Sequence, residues 1–194
     1  MAYKCLPLHY IHVKNFYITM VDFKTLISNR RSHRLFTDEE INAEDVRLIL
    51  RSALMSPTSK GRRSWQFVVV DDKNTIEKIA DAKETGSEFL KQAPLAIVVL
   101  GDTVNNDCWI EDCSIAAVTM QYQAEELGLG SCWAQMRGRG LSDGTTAADV
   151  IRGILDISED LDVLCVLGIG HKMKERKPQE DEALKWENVR VFEY

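Results

Sequence analysis

Four short stretches of this sequence concentrate cationic side chains: Arg30-Arg31-Ser32-His33-Arg34, Lys60-Gly61-Arg62-Arg63, Arg137-Gly138-Arg139, and the run from Lys172 to Lys177. Guanidinium forks take phosphate oxygens two at a time, and a neighbouring hydroxyl such as Ser32 adds a small donor. The chain as a whole is acidic, with a formal net charge of −6 and a pI near 5.3. Compact basic clusters on such a chain point to a few anionic groups held locally. Nucleic acid, which needs a broad basic field, is not an expected partner. Taken singly, an arginine cluster is more often a solvated helix end, so its meaning depends on what stands beside it.

Other chemistries lack carriers. There is no GxxxxGK[ST] phosphate loop and no GxSxG, and no histidine is paired with a credible nucleophile. Gly138, Gly140 and Gly144 have the wrong spacing for a dinucleotide turn, and Gly168 and Gly170 lack a third glycine. The cysteines are Cys5, Cys108, Cys113, Cys132 and Cys165, an odd number without a CxxC pair. That argues against a disulfide scaffold or zinc site and for a reducing cytoplasm. Cys132 and Cys165 lie in apolar runs and read as core; His9 and His12 have no companion ligands. No apolar run is long enough to cross a bilayer. Residues 1–19 read as an N-terminal extension without the order of a signal peptide, with an alternative start at Met20 and a domain over 20–194.

The elements that must position these clusters are legible from periodicity. Hydrophobic residues make up 45% and charged residues 28% of the chain, enough apolar material for a core. Asp22 caps a short helix carrying Phe23, Leu26 and Ile27, and Asn42 caps another with Val46, Ile49, Leu50, Ala53 and Leu54 on one face. Ser56-Pro57 breaks that second helix. Residues 65–70 and 95–100 read as strands covered on both faces, with a helix after residues 71–74 between them. The strongest helix spans about 107–127, with Trp109, Cys113, Ala116, Ala117, Met120, Ala124 and Leu127 in steps of three and four, and Gly128 ends it. A short extended piece at 131–135, a helix near 146–155, a strand at 162–169 and an alternating tail at 189–194 complete the chain. Helices and strands mix irregularly, so the fold class is α+β.

Three segments taken in order resemble the nitroreductase family of FMN enzymes. Arg30-Arg31-Ser32-His33-Arg34-Leu35-Phe36 matches its Arg-Arg-Ser-x-Arg-x-Phe element. Ser56-Pro57-Thr58-Ser59-Lys60-Gly61, followed by Trp65, matches Ser-Pro-[Ser/Thr]-x-x-Asn…Trp, with Gly61 where Asn is usual. Gly128-Leu129-Gly130 matches the turn after the long helix, and Gly168-Ile169-Gly170-His171 with Lys172 to Pro178 matches a fourth, late element. Each alone is weak; the ordered set, running from about Met20 to the C-terminus, is fairly specific.

That resemblance implies a nitroreductase-like fold: a central, mostly antiparallel sheet flanked by helices, in a homodimer with a swapped tail. It implies that Arg30, Arg31, Ser32 and Arg34 hold the FMN phosphate, ribityl chain and N1/O2 edge, with Arg34 at that edge. Pro57, Thr58, Ser59 and Gly61 match the loop a partner subunit lays over the flavin. Trp133, Ala134 and Gln135 match the stretch along the ring, where the backbone N–H at Gln135 points at N5. Arg176 and Lys177 match a late phosphate contact, a role Lys172 or Lys174 could fill instead. Trp65 reads as core. The long helix's small-residue face suits a tight contact with the partner, and the tail from Glu182 to Tyr194 is placed to wrap it. The implied activity is ping-pong transfer of hydride from NAD(P)H to a nitroaromatic, quinone or similar small acceptor. No acid, base or metal is required, because a flavin carries the chemistry. The rivals are a relative using the same cradle for dehalogenation or flavin cleavage, a non-catalytic FMN-binding or storage module, and a plain α+β domain with solvated basic loops.

Overall fold

In the strand Leu95–Asp102 successive side chains alternate between two apolar surroundings, and that alternation organises the whole protein. The computed structural model describes residues 22–192; the extension expected at 1–19, with Met20, lies outside the described residues. In chain order the elements are α1 (Phe23–Asn29), α2 (Ala43–Leu54), β1 (Trp65–Val70), α3 (Lys73–Ala80), β2 (Leu95–Asp102), α4 (Trp109–Glu126), β3 (Leu129–Gln135), α5 (Ala147–Leu155) and β4 (Leu161–His171). The strands form one sheet in the order β1-β2-β4-β3, antiparallel throughout. The fold is α+β, as its sequence pattern indicates.

Ala96, Val98 and Leu100 of β2 join Cys132, Ala134 and Val166 on one face, under Ile76 and Ile79 of α3, Leu90 and Ile151 of α5. Leu95, Ile97 and Val99 join Leu129, Cys165, Leu167 and Ile169 on the other, under Ile49 and Ala53 of α2 and the apolar stripe of α4. A register shift between Val99 and Leu100 marks a bulge against β4. β2 is thus covered on both faces. β1 is covered less completely: it is an edge strand, with Gln66 exposed and Val69 39% exposed.

The helix caps follow the chain's polar punctuation. Asp22, Asn42, Asp72 and Thr146 each accept the N–H three residues on, satisfying a donor that the first helical turn leaves open. Gly128 takes φ +78° just past α4, where a side chain would be strained. The small residues Ala116, Ala117 and Ala124 of α4 are fully buried against the protomer's own sheet. That corrects the expectation that they form a contact with a partner: they let α4 sit close to β2, and the face left outward carries Ile115 and Val118. Residues 189–192 of the alternating tail form no strand, and 193–194 lie outside the described residues; two short 3-10 turns, Asp181–Ala183 and Trp186–Asn188, precede it.

Close approach of α4 to β2 depends on Gly101, where a Cβ would come within 2.6 Å of the Trp109 ring and 2.9 Å of Cys113 Sγ. Gly101→Ala should therefore destabilise the chain by about 1–3 kcal/mol. Gly153, in α5, has nothing within 4 Å of where a Cβ would stand and should behave oppositely: Gly153→Ala should stabilise by about 0.5–1 kcal/mol. Urea unfolding of the two variants checks both signs.

Candidate functional site

Residues 30–36 run extended along the outer edge of β3. Ser32 pairs in parallel with Ser131, and the His33 N–H donates to Ser131 O (2.9 Å). Further on, Phe36 pairs with Lys172, the Thr37 N–H donates to His171 O (3.0 Å), and the Met173 N–H donates to Leu35 O (3.2 Å). The segment is therefore clamped between β3 and the continuation of β4. Gly130 makes room for it: a Cβ there would stand 2.8 Å from His33 Cβ and 3.0 Å from Lys172 Cγ.

Residues 172–177 fold back across this segment through a reciprocal pair of arginine bonds. Arg31 Nη1 donates to Lys177 O (2.5 Å), and Arg176 Nη1 donates to Ser32 O (2.8 Å). A guanidinium carries five N–H donors, so each keeps most of its fork for another acceptor. Beside them lies a cavity of about 600 Å³ lined by Arg31, Arg34, Lys174, Arg176 and Lys177, with His33, Leu35 and Glu175. That volume suits a small-molecule site, and its charge suits a phosphorylated ligand, since the cations face one carboxylate. The first and last basic clusters, separated by more than a hundred residues, thus build one cradle.

Arg30, Ser32 and Arg34 lie toward Cys132 of β3. Burial pushes the Cys132 thiol above its ordinary value; Arg34, the Ser32 hydroxyl and Arg30 pull against that without cancelling it. Cys113 is pushed up to about 12 by burial and Asp112, and burial raises Cys165 as well. These groups stay thiols and are poor nucleophiles. Among the described residues no group of three or more His, Cys, Asp or Glu side chains is placed to hold a metal ion.

Trp133, Ala134 and Gln135 continue β3 beyond the clamp. Backbone directions alternate along a strand. Ser131 O meets the 30–36 segment, and the Met136 N–H reaches Leu164 O of β4 (3.2 Å). By that alternation the N–H groups of Trp133 and Gln135 point away from β4, to the open edge. Trp133 Nε1 donates to Gln135 Oε1 (2.9 Å) and Gln135 Nε2 donates to Arg137 O (2.9 Å), so the side chains on this stretch are fixed. Trp65 is buried core as read from sequence, with its Nε1 left without a hydrogen-bond partner.

Pro57, Thr58, Ser59 and Gly61 are not part of this cradle in the same chain. The Ser59 N–H donates to Asp112 Oδ1 (2.8 Å), and Asn106 Nδ2 donates to Asp112 Oδ2 (2.9 Å) and Ser64 Oγ (2.7 Å). The loop is thereby tied to the start of α4. The cradle is tied to its other end, where Lys172 Nζ meets Glu125 Oε1 at 2.8 Å with both side chains less than a tenth exposed. At 1.5 Å per residue, Asp112 and Glu125 are roughly 20 Å apart along the axis. Lys60, Gly61 and Arg63 all have positive φ, at 54°, 64° and 51°. A residue in that conformation is best Gly or Asn, so the loop's backbone accounts for Gly61 where the resembling family has Asn.

Lys172 is ruled out as a free phosphate cation by its pairing with Glu125, which sequence reading missed. It also missed Asp112, although Asp112 falls on the line of Ala116, Met120 and Ala124, where a carboxylate on an apolar stripe signals a buried tether. His33, 3% exposed, carries a pKa lowered first by burial and then by the Lys172 ammonium.

Glu125→Gln, which strips a buried cation of its partner, should cost on the order of 3 kcal/mol. Glu175→Gln, at a carboxylate 79% exposed, should cost under about 1 kcal/mol; denaturant midpoints compare the two. Because its folded pKa is depressed, His33 stabilises the fold fully above the unfolded value of 6.5 and loses that contribution as pH falls through the folded value. His33→Gln should flatten the stability slope between pH 7 and 5.

Comparison with known proteins agrees with this geometry. A family model described as the Nitroreductase family matches residues 27–86 and 81–171. An Archaeoglobus fulgidus protein provisionally named NADH dehydrogenase/NAD(P)H nitroreductase is 32% identical over 155 residues, 78% of this chain and 86% of the relative. The structure of an FMN-dependent nitroreductase from Clostridium difficile R20291 superposes with a TM-score of 0.84 at 42% identity, covering 87% of this chain and 98% of that one. A Bacteroides thetaiotaomicron structure provisionally named NADH dehydrogenase/NAD(P)H nitroreductase gives 0.78 at 28% identity, covering 87% and 96%. The matched span takes in both the 30–36 segment and the strands that clamp it, and the chain belongs to the Nitroreductase family.

Proposed function

We propose that this chain is an FMN-dependent oxidoreductase that takes reducing equivalents from NAD(P)H and passes them to a nitroaromatic, quinone or related small acceptor. The observation that carries this reading is the meeting of Arg31, Arg34, Arg176 and Lys177 around one cavity beside the open edge of β3. The names of the relatives support the same class. Bound FMN would supply the hydride chemistry between the reduced nicotinamide and the second substrate, in a ping-pong order.

The chain's own residues bind and orient. Arg30, Arg31, Ser32, Arg176 and Lys177 hold the phosphate and ribityl chain. Arg34 sets a fixed positive charge at the N1/O2 edge, where it offsets the negative charge that reduction brings. The N–H of Gln135, turned to the open edge, would donate to N5, and Trp133 and Ala134 would line that approach. Side-chain identity at Gln135 matters little for this, because the donor is backbone.

The working form is proposed to be a homodimer. Pro57, Thr58, Ser59 and Gly61 stand too far along α4 to cover their own chain's cradle, so a partner's loop does so. The outward Ile115 and Val118 of α4, with Leu54 and Met55 at the end of α2, offer apolar surface for that contact. Trp186, Val189 and Val191 of the exposed tail extend it.

Purified protein should show a flavin spectrum that NADH or NADPH bleaches without air and that a quinone restores. A protein that binds FMN but is not bleached would instead be a storage module. Arg176→Ala should weaken FMN binding by roughly 10- to 100-fold while leaving riboflavin affinity nearly unchanged, since it removes a charge-assisted phosphate contact. In sedimentation the flavin-loaded species should be a dimer; turnover by a flavin-loaded monomer would refute the partner-loop assignment.

A further inference from the structure

His33 brings a titratable ring into the cradle and leaves it without a partner. The residue is only 3% exposed, and it is one of those lining the cavity of about 600 Å³. Its backbone is held, the N–H donating to Ser131 O at 2.9 Å. Its side chain lies close over Gly130, where a Cβ would stand 2.8 Å from His33 Cβ and 3.1 Å from its Cγ. Among the described residues no hydrogen bond reaches either ring nitrogen. Trp65 Nε1 is the fully covered side-chain nitrogen there that lacks a partner. The imidazole nitrogens therefore keep an opening, and the cavity is the space beside them. A neutral imidazole has one N–H to donate and one lone pair to accept with, and leaving both unmet in a buried place is costly. A ligand in the cavity supplies what the protein does not.

The charged groups around the ring come from three elements. Arg31 and Arg34 stand on its own segment, Lys172, Lys174, Glu175, Arg176 and Lys177 on the returning loop, and Glu125 on α4. β3 adds Gly130 beneath the ring and no charge. Both carboxylates already meet Lys172, Glu125 at 2.8 Å and Glu175 at 3.5 Å. With the cradle empty, burial first and then the Lys172 ammonium hold the imidazole below its ordinary value, so it is neutral at pH 7. A phosphate reverses that balance. It brings about two negative charges and three acceptor oxygens to the ring's open side, and imidazolium becomes the favoured form.

We propose that His33 is a phosphate-contacting residue of the cradle: its imidazole hydrogen-bonds the ligand's phosphate and takes one proton from solvent as that phosphate arrives. This rests on the reading of the cavity as the FMN phosphate site. Neutral imidazole, phosphate dianion and a proton go to an imidazolium–phosphate pair, with no bond of the ligand broken. The filled ring holds its proton to higher pH than the empty one. The gain in affinity is therefore complete below the empty-site value, which lies under 6.5, and is lost as pH rises through the filled-site value. Riboflavin, which has no phosphate, takes up no proton.

The test uses the full chain, stripped of flavin, as wild type, His33→Gln and His171→Gln, each checked for an intact fold by circular dichroism. Glutamine keeps a donor and an acceptor but cannot be charged. Isothermal titration at pH 7 in buffers of different ionisation enthalpy counts the protons taken up with FMN, riboflavin or inorganic phosphate, and affinities are measured from pH 6 to 8.5. Wild type and His171→Gln should take up a large fraction of one proton more per FMN than His33→Gln, which corrects for the phosphate's own ionisation at about 6. Their FMN affinity should fall by roughly tenfold more across that range than that of His33→Gln, with riboflavin affinity alike in all three. In wild type alone, the His33 ring resonances should titrate at higher pH with inorganic phosphate bound than without it. Equal proton uptake in wild type and His33→Gln, with a ring whose titration phosphate does not move, would overturn the proposal. So would a His33→Gln protein that loses FMN and riboflavin equally, which would assign the ring to packing. Wild type that binds phosphate with proton uptake but takes no FMN would leave the His33 contact standing and remove the flavin reading; wild type that binds neither would overturn both.

Discussion

Lys172 and Glu125 sit 2.8 Å apart with less than a tenth of either side chain exposed, and the shape of the cradle follows from that contact. Lys172 is the first residue past β4, and Glu125 belongs to the last turn of α4. Joining them fixes where the chain leaves the sheet. Phe36 pairs with the same Lys172, and His33 and Lys172 both lie close over Gly130. A buried pair of this kind adds little net stability over an apolar contact, but removing either member is expensive. Its value here is positional: the returning loop can cross the 30–36 segment in one place only.

α4 then acts as a spacer. Asp112 near its start holds the 56–64 loop, and Glu125 near its end holds the cradle. A straight helix keeps its two ends apart, so the Ser-Pro-Thr-Ser motif stands away from the arginine motif of the same chain. That separation, with outward apolar residues on α2 and α4, supports the proposed two-chain site. The same helix shows why its small residues do not identify their neighbour in advance. Ala116, Ala117 and Ala124 are compatible with any close contact, and the surface they meet is the protomer's own sheet.

Much of the fold can be read in advance because the physics involved is local. Strand Trp65–Val70, the caps at Asp22 and Asn42, and the stop at Gly128 follow from periodicity and from donors that a helix start leaves open. The incomplete cover of β1 is not legible, since an apolar strand at an edge looks the same in sequence as one at the centre. The tail at 189–192 alternates but pairs with no strand, because alternation says which face a strand would bury and not whether an edge is there to receive it.

The order of residue types along the chain was enough to establish the α+β class and the family resemblance, and to single out the arginines proposed to hold a phosphate. Those depend on composition, short-range spacing and side-chain chemistry. Tertiary structure alone decided that residues 30–36 and 172–177 form one cradle, that Lys172 is neutralised by Glu125, and that Thr58 and Ser59 stand apart from it. These are facts about distance in space between residues remote in sequence, set by how two faces of one sheet are covered, and no local pattern encodes them.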